Sequence, residues 1–222
     1  METLPQPRIF REGQISVVDF LDWKRTVSIW SEHDIFQIQL EEYFEITHPE
    51  LVGTHEYATL CQSFVKKRLA GTNGELKGNW IYYPWSGRLV HTLPEQEYET
   101  LRTNRNRHLI TTEEQQLLSR TPVGLIGLSV GSNVATALAY GGIAGVLKLG
   151  EFDILATSNL NRIRARLDQI GMSKISITAE QVYEINPYAT IIPYAGGMTK
   201  ESLVDFVTGT PTPRVIFEII DH

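Results

Sequence analysis

Between Val123 and Asp153 the sequence runs through two short apolar segments joined by a glycine turn and a helix of small residues. Val123-Gly-Leu-Ile126 reads as a strand that breaks at Gly127 into Gly127-Leu-Ser-Val-Gly-Ser132. A helix is expected from near Gly131 through Ala135, Ala137 and Ala139 to Gly141-Gly142. A strand feeding a glycine turn and a helix N-terminus aims backbone N–H groups, and the positive end of the helix dipole, at an anion. The second apolar segment, Val146-Leu-Lys-Leu149, runs on to Glu151 and Asp153. A dinucleotide fold places its ribose-holding acid at that point. The local reading is a nucleotide site on a parallel strand–helix–strand unit.

The turn by itself leaves three readings open. It can bind nucleotide, or it can be a plain turn for close helix–sheet packing. Gly127-Leu-Ser-Val-Gly131 also fits G-x-S-x-G, the strand-to-helix elbow of serine hydrolases, with Ser129 as nucleophile.

A chain of 222 residues can hold one large domain or a medium one with a smaller companion. Its net charge of −6 argues against nucleic-acid binding by bulk electrostatics. The local clusters Arg102, Arg105, Arg107 and Arg162, Arg164, Arg166 suit a small phosphorylated ligand better than a long polyanion. The single cysteine, Cys61, excludes an internal disulfide and any CxxC zinc clip. The first residues lack the apolar core of a signal peptide. The longest apolar run, Val134 to Leu149, is broken by Gly141, Gly142, Gly145 and Lys148. A cytoplasmic protein without membrane or nucleic-acid partners is expected.

Residues 1–100 read as a smaller helical and hairpin α+β domain. Helices are expected over 17–24, 33–46 and 55–69, then a polar break over 71–78. Asn79–Tyr83 and Arg88–Thr92 flank Pro84-Trp-Ser-Gly87 as a hairpin, whose aromatic residues suit packing better than base stacking. A short helix over 95–102 and another over 111–118, capped by Thr111 or Thr112, lead to the second domain, 101–222. There strands at 123–126, 146–149, 190–194 and 214–220 alternate with helices, one capped by Ser173 and ending before Pro187 and one over 200–207. That alternation predicts an α/β, Rossmann-like, mostly parallel sheet with helices on both faces. The sequence stops at Asp221-His222, directly after a strand, so an N-terminal piece of a longer protein is expected.

Four features follow the glycine turn in order: Glu151-Phe-Asp153; Ser158-Asn-Leu-Asn-Arg162; Ile170-Gly-Met-Ser-Lys174; and Ile185-Asn-Pro187 ahead of the strand ending in Asp221. In this order and spacing, residues from about 102 to 222 resemble the ubiquitin-activating-enzyme-like adenylyltransferases, the ThiF/MoeB/HesA family. A hydrolase elbow implies none of these downstream features. The resemblance implies ATP and Mg²⁺ as cofactors. It also implies attack of a carboxylate on the α-phosphorus of ATP, giving an acyl-adenylate and pyrophosphate. The carboxylate could be the C-terminus of a small carrier protein. On this resemblance Gly127, Ser129, Gly131 and Ser132 would cradle phosphate, and Glu151 and Asp153 would hold the ribose, with Asn159 in the binding loop. Arg162 and Lys174 would stabilise the transferring phosphates. Asp221 would ligate the metal. Arg105 would cross a homodimer interface to the partner's site.

The sequence departs from the family pattern at the turn, one residue shorter than G-x-G-G-x-G and with Ser129 where glycine is usual, and at Glu151 in place of Asp. Two further readings follow from the departures. One is a nucleotide-binding scaffold without turnover, and the other is a dinucleotide oxidoreductase domain that uses Glu151 as ribose acid. The N-terminal segment is similar to the head of bacterial proteins that join such a domain to a nitroreductase-like C-terminal domain.

Overall fold

The computed structural model describes residues 4–71 and 76–220. Residues 72–75 of the expected polar break, and the expected metal ligand Asp221, lie outside that range. The chain forms two compact units, Pro7–Arg105 and a second built from Asn106 onward.

The first unit runs β1 (Arg8–Phe10), α1 (Val17–Lys24), β2 (Ser31–Asp34), α2 (Phe36–Thr47), α3 (Tyr57–Leu69), β3 (Asn79–Tyr83), β4 (Arg88–Thr92) and α4 (Glu95–Arg102). The expected hairpin is β3–β4, antiparallel from Asn79 opposite Thr92 to Tyr83 opposite Arg88. It sits inside a four-stranded sheet of order β1-β3-β4-β2. Two of those strands are absent from the sequence reading, and one corrects it. The helix expected from His33 starts at Phe36, and residues 31–34 form β2, parallel to β4. Ser31-Glu-His-Asp34 is an exposed edge strand with no apolar alternation to betray it; its pairing is supplied by β4. The hairpin aromatics do pack inward. Trp80 is buried against Phe20 and stacks on His91, with ring centroids 4.3 Å apart.

The second unit contains α5 (Thr112–Arg120), β5 (Pro122–Ile126), α6 (Leu128–Tyr140), β6 (Val146–Gly150), α7 (Lys174–Ile185), β7 (Thr190–Tyr194), α8 (Lys200–Thr208) and β8 (Val215–Glu218). Thr111 caps α5 in a reciprocal box with Glu114, as its sequence position suggests. The sheet order is β7-β6-β5-β8 and every pairing is parallel. Right-handed crossovers then put α6 and α7 on one face and α8 on the other. Here too a boundary is corrected. The glycine turn is a single residue, Gly127, and α6 begins at Leu128, so Ser129, Gly131 and Ser132 are helical residues and not loop.

The central strand β6 carries a buried lysine. Lys148 is 1% exposed, and its Nζ donates to the carbonyls of Asp205, Phe206 and Gly209 at 3.3, 3.0 and 2.8 Å. These are carbonyls at the C-terminal end of α8, where the dipole favours a cation. A charge in the middle of an apolar strand is thus a cap for the helix lying across it.

Candidate functional site

The site forms at the carboxyl ends of β5, β6 and β8, the edge where open parallel sheets bind ligands. Gly127 is the pivot. Its φ is 89°, and a Cβ there would lie 2.4 Å from the carbonyl oxygen of Ile219. Glycine is therefore demanded by conformation and by space. Gly131 differs: a Cβ would meet ordinary contacts at 3.6 and 3.7 Å, inside a helix that needs no special φ.

Three side chains converge beside this turn. Lys174, the first residue of α7, is buried, and its Nζ donates to Asp153 Oδ2 at 2.8 Å and to Ser129 Oγ at 3.2 Å. The backbone holds them in register. Lys174 N–H donates to the Asp153 carbonyl at 3.0 Å, and Ile154 bridges to Ser173 in antiparallel fashion. The positive end of the α7 dipole disfavours a lysine at this position. Asp153, half exposed, offsets that penalty and leaves one carboxylate edge toward water.

Glu151 serves a different purpose. Its Oε2 accepts from Leu128 N–H at 2.9 Å, and its Oε1 accepts from Phe152 N–H at 2.9 Å and Asp153 N–H at 3.1 Å. The carboxylate reaches from the end of β6 to the first amide of α6 and caps it. An open cavity of 190 Å³ lies alongside, lined by Gly127, Ser129, Glu151, Phe152, Asp153 and Met198 among others.

Gly127, Ser129, Glu151, Asp153 and Lys174 are thus brought together. Ser132 is buried, with its hydroxyl turned to the Ser129 carbonyl at 3.4 Å. Asn159 Oδ1 accepts from Ala156 N–H at 3.0 Å, closing its own turn. Arg162 is exposed and donates to Asn161 Oδ1 at 2.9 Å and to the Ser158 carbonyl at 3.4 Å. Neither Asn159 nor Arg162 lines the cavity. Arg105 belongs to the first unit. The sequence reading missed Phe152, Gly197 and Met198. A Cβ on Gly150 would fall 2.5 Å from the Met198 methyl, so that glycine makes room for the cavity's apolar wall. The loop after β7 ends at the same sheet edge as Glu151, and that rule of topology could have found it.

Ser129 does not sit in a hydrolase elbow. Such a serine occupies a strained turn. Here the residue lies in the first turn of α6, and among the described residues the one non-glycine with positive φ is Ala144.

The family model that matches this sequence is that of the ThiF family, over residues 102–222, more than half of the chain. The chain belongs to the ThiF family. Membership agrees with the parallel sheet, the glycine pivot and the acid-bearing end of β6. An uncharacterized protein of Mycobacterium tuberculosis is 40% identical over 130 residues, covering 59% of this chain and 18% of that protein. The molybdopterin-synthase adenylyltransferase of Salmonella typhimurium is 29% identical over 116 residues, 51% of this chain and 47% of its own. Structures of the Escherichia coli tRNA N6-threonylcarbamoyladenosine dehydratase, in complex with AMP and with ATP, match with a TM-score of 0.51 at 26% identity. They cover 55% of this chain and 50% of each of those chains. The chain spans less than half the length of these curated relatives.

Proposed function

We propose that this ThiF-family chain binds ATP in the cavity beside Gly127 and transfers its adenylyl group to a carboxylate, releasing pyrophosphate. The observation that carries the reading is the Ser129–Lys174–Asp153 cluster beside the N-terminus of α6. It supplies a buried cation, a hydroxyl and a half-exposed carboxylate at one sheet edge. Lys174 meets the charge that builds on the phosphates, a role suited to a preorganised cation. Asp153 offers its water-facing oxygen to the ribose hydroxyls. The Ser129 Oγ accepts from Lys174, so its own O–H is left to donate to phosphate, which compensates for the missing glycine. Phe152 and Met198 provide an apolar wall for the base.

Among the described residues no group of three or more His, Cys, Asp or Glu side chains could hold a metal ion. On this reading magnesium would arrive with the triphosphate, with Asp221, outside the described residues, as its protein ligand. It would neutralise phosphate charge there. Arg162 would have to leave its loop contacts to reach the nucleotide, and Arg105 would act from the partner chain of a homodimer. The acceptor is a carboxylate, with a carrier-protein C-terminus as one candidate.

Calorimetry with ATP and with NAD(H), with and without magnesium, tests the nucleotide. ATP–pyrophosphate exchange in Arg162→Ala and Lys174→Ala tests the transfer. We expect ATP to bind in preference to NAD(H), and exchange to be lost in both variants while each stays folded. Tight NAD(H) binding without metal would sink the proposal. A scaffold without turnover is the second reading, favoured by the engagement of Lys174 with Asp153 and of Arg162 with its own loop. It predicts ATP binding with no exchange for any carboxylate tried.

A further inference from the structure

Glu151 is an anion built into the place where a ligand's anion would be recruited. It is 9% exposed, and its two oxygens take three backbone N–H groups, Leu128, Phe152 and Asp153. Leu128 is the first residue of α6, so its amide belongs to the set of orphan donors that make a helix N-terminus attract phosphate. In this chain that donor is already satisfied from inside. The carboxylate is fixed by backbone on both oxygens and yet borders the same cavity as Ser129 and Asp153. Lys174 is paired to Asp153. It balances one of the cavity's two carboxylates, and the charge of Glu151 remains uncompensated by any described side chain within the cavity.

We propose that Glu151 is a positioning and specificity residue that makes the site reject free polyphosphate, pyrophosphate above all. Phosphate is admitted when it is attached to a nucleoside that Asp153 and the apolar wall can hold. The inference rests on the nucleotide reading above and deepens it. A helix N-terminus left open would retain any compact polyanion, including the leaving pyrophosphate. A carboxylate seated on Leu128 confines the attractive part of the site to Ser129 and Lys174. It also repels the anion once its link to the nucleoside is broken. The longer reach of glutamate accounts for the departure from aspartate at this position, since the side chain must span from the end of β6 to the amide of α6.

The test is calorimetric titration of ATP and of pyrophosphate alone into the 222-residue chain, its Glu151→Gln variant and its Glu151→Asp variant. Gln keeps the size and one acceptor oxygen and removes the charge; Asp keeps the charge and shortens the reach. The wild type should bind ATP and hold pyrophosphate weakly. Glu151→Gln should bind pyrophosphate about tenfold more tightly, and Glu151→Asp, which keeps the charge but is too short to cap Leu128, should fall between the wild type and Glu151→Gln. A carboxylate that merely supports the fold predicts the opposite sign, with every ligand weakened in Glu151→Gln. Unchanged or weaker pyrophosphate binding in that variant, with ATP bound by the wild type, overturns the inference. Failure of the wild type to bind ATP overturns the nucleotide reading and this inference with it. A second measurement needs no variant to fold. In the wild type labelled with 15N-leucine, saturating pyrophosphate should leave the Leu128 amide resonance in place. A large shift of that resonance would mean that the anion displaces Glu151 and would refute the proposal.

Discussion

The pair formed by Lys174 and Asp153 is lopsided, and the asymmetry is measurable. The lysine side chain is 5% exposed and the aspartate 50%. Removing the lysine releases a carboxylate that water solvates at once. Removing the aspartate strands an ammonium in a dry site at the positive end of α7. The Ser129 hydroxyl at 3.2 Å is then its remaining partner among those described. Breaking a fully buried pair from one side costs about 3–5 kcal/mol, whereas an exposed pair is worth about 0–1 kcal/mol. With one partner half in water, Asp153→Ala should cost about 2 kcal/mol. Lys174→Met should fall within about 1 kcal/mol of neutral, because the lost attraction is offset by relief of desolvation and of the dipole penalty. The double variant should resemble Lys174→Met alone, since the methionine leaves no charge to strand. The assay must report the right unit. All four tryptophans (Trp23, Trp30, Trp80 and Trp85) lie in Pro7–Arg105. Their fluorescence therefore follows the wrong part of the chain. Hydrogen exchange of the α7 amides under urea reads the local effect directly. If Lys174→Met costs as much as Asp153→Ala, the buried-charge reasoning is wrong.

Three further outcomes are expected. Gly127→Ala should destabilise the second unit by about 3 kcal/mol, from backbone strain and the clash with Ile219, whereas Gly131→Ala should stay within about 1 kcal/mol of wild type or improve on it. Thermal unfolding of the two variants side by side checks this, and equal effects would refute it. Lys148→Met keeps the volume in β6 but leaves three carbonyls of the α8 C-terminus without their ammonium. It should cost about 2–3 kcal/mol and appear first as faster hydrogen exchange in α8. Glu180, held by Gln169 at 2.8 Å, has its carboxyl raised above the ordinary 4.5 chiefly by burial. A raised acid favours the folded state while protonated, so its contribution is full below that value and is lost as pH rises through the folded one. Glu180→Gln should therefore stabilise the protein at neutral pH and gain little at acid pH; a gain that is the same at both would disprove the assignment.

The parallel unit was legible in the sequence because its punctuation is local. Apolar strands stop at Gly127 and Glu151, helix α7 stops ahead of Pro187, and caps such as Thr111 announce the helices that follow. The edge strand β2 was not legible, since Ser31-Glu-His-Asp34 owes its conformation to β4 and not to its own pattern. The same distinction runs through the site. Lys174 is singled out by the family resemblance, but that its ammonium is buried against Asp153 depends on Ile154 bridging to Ser173. Lys148, read as a break in an apolar run, caps a helix more than fifty residues further along the chain. Glu151 makes the case most sharply. A helix N-terminus attracts anions, and the acid at the end of the neighbouring strand holds ribose, so the two were assigned to one ligand. In the folded chain they satisfy each other first, through Glu151 and the Leu128 amide. What remains for a nucleotide is the remainder of that pairing: Ser129, Lys174 and the open edge of Asp153. A motif specifies which groups meet at a sheet edge. Which of them stay available to a ligand is decided by the bonds they make to one another, and those follow from reach and burial that no spacing records.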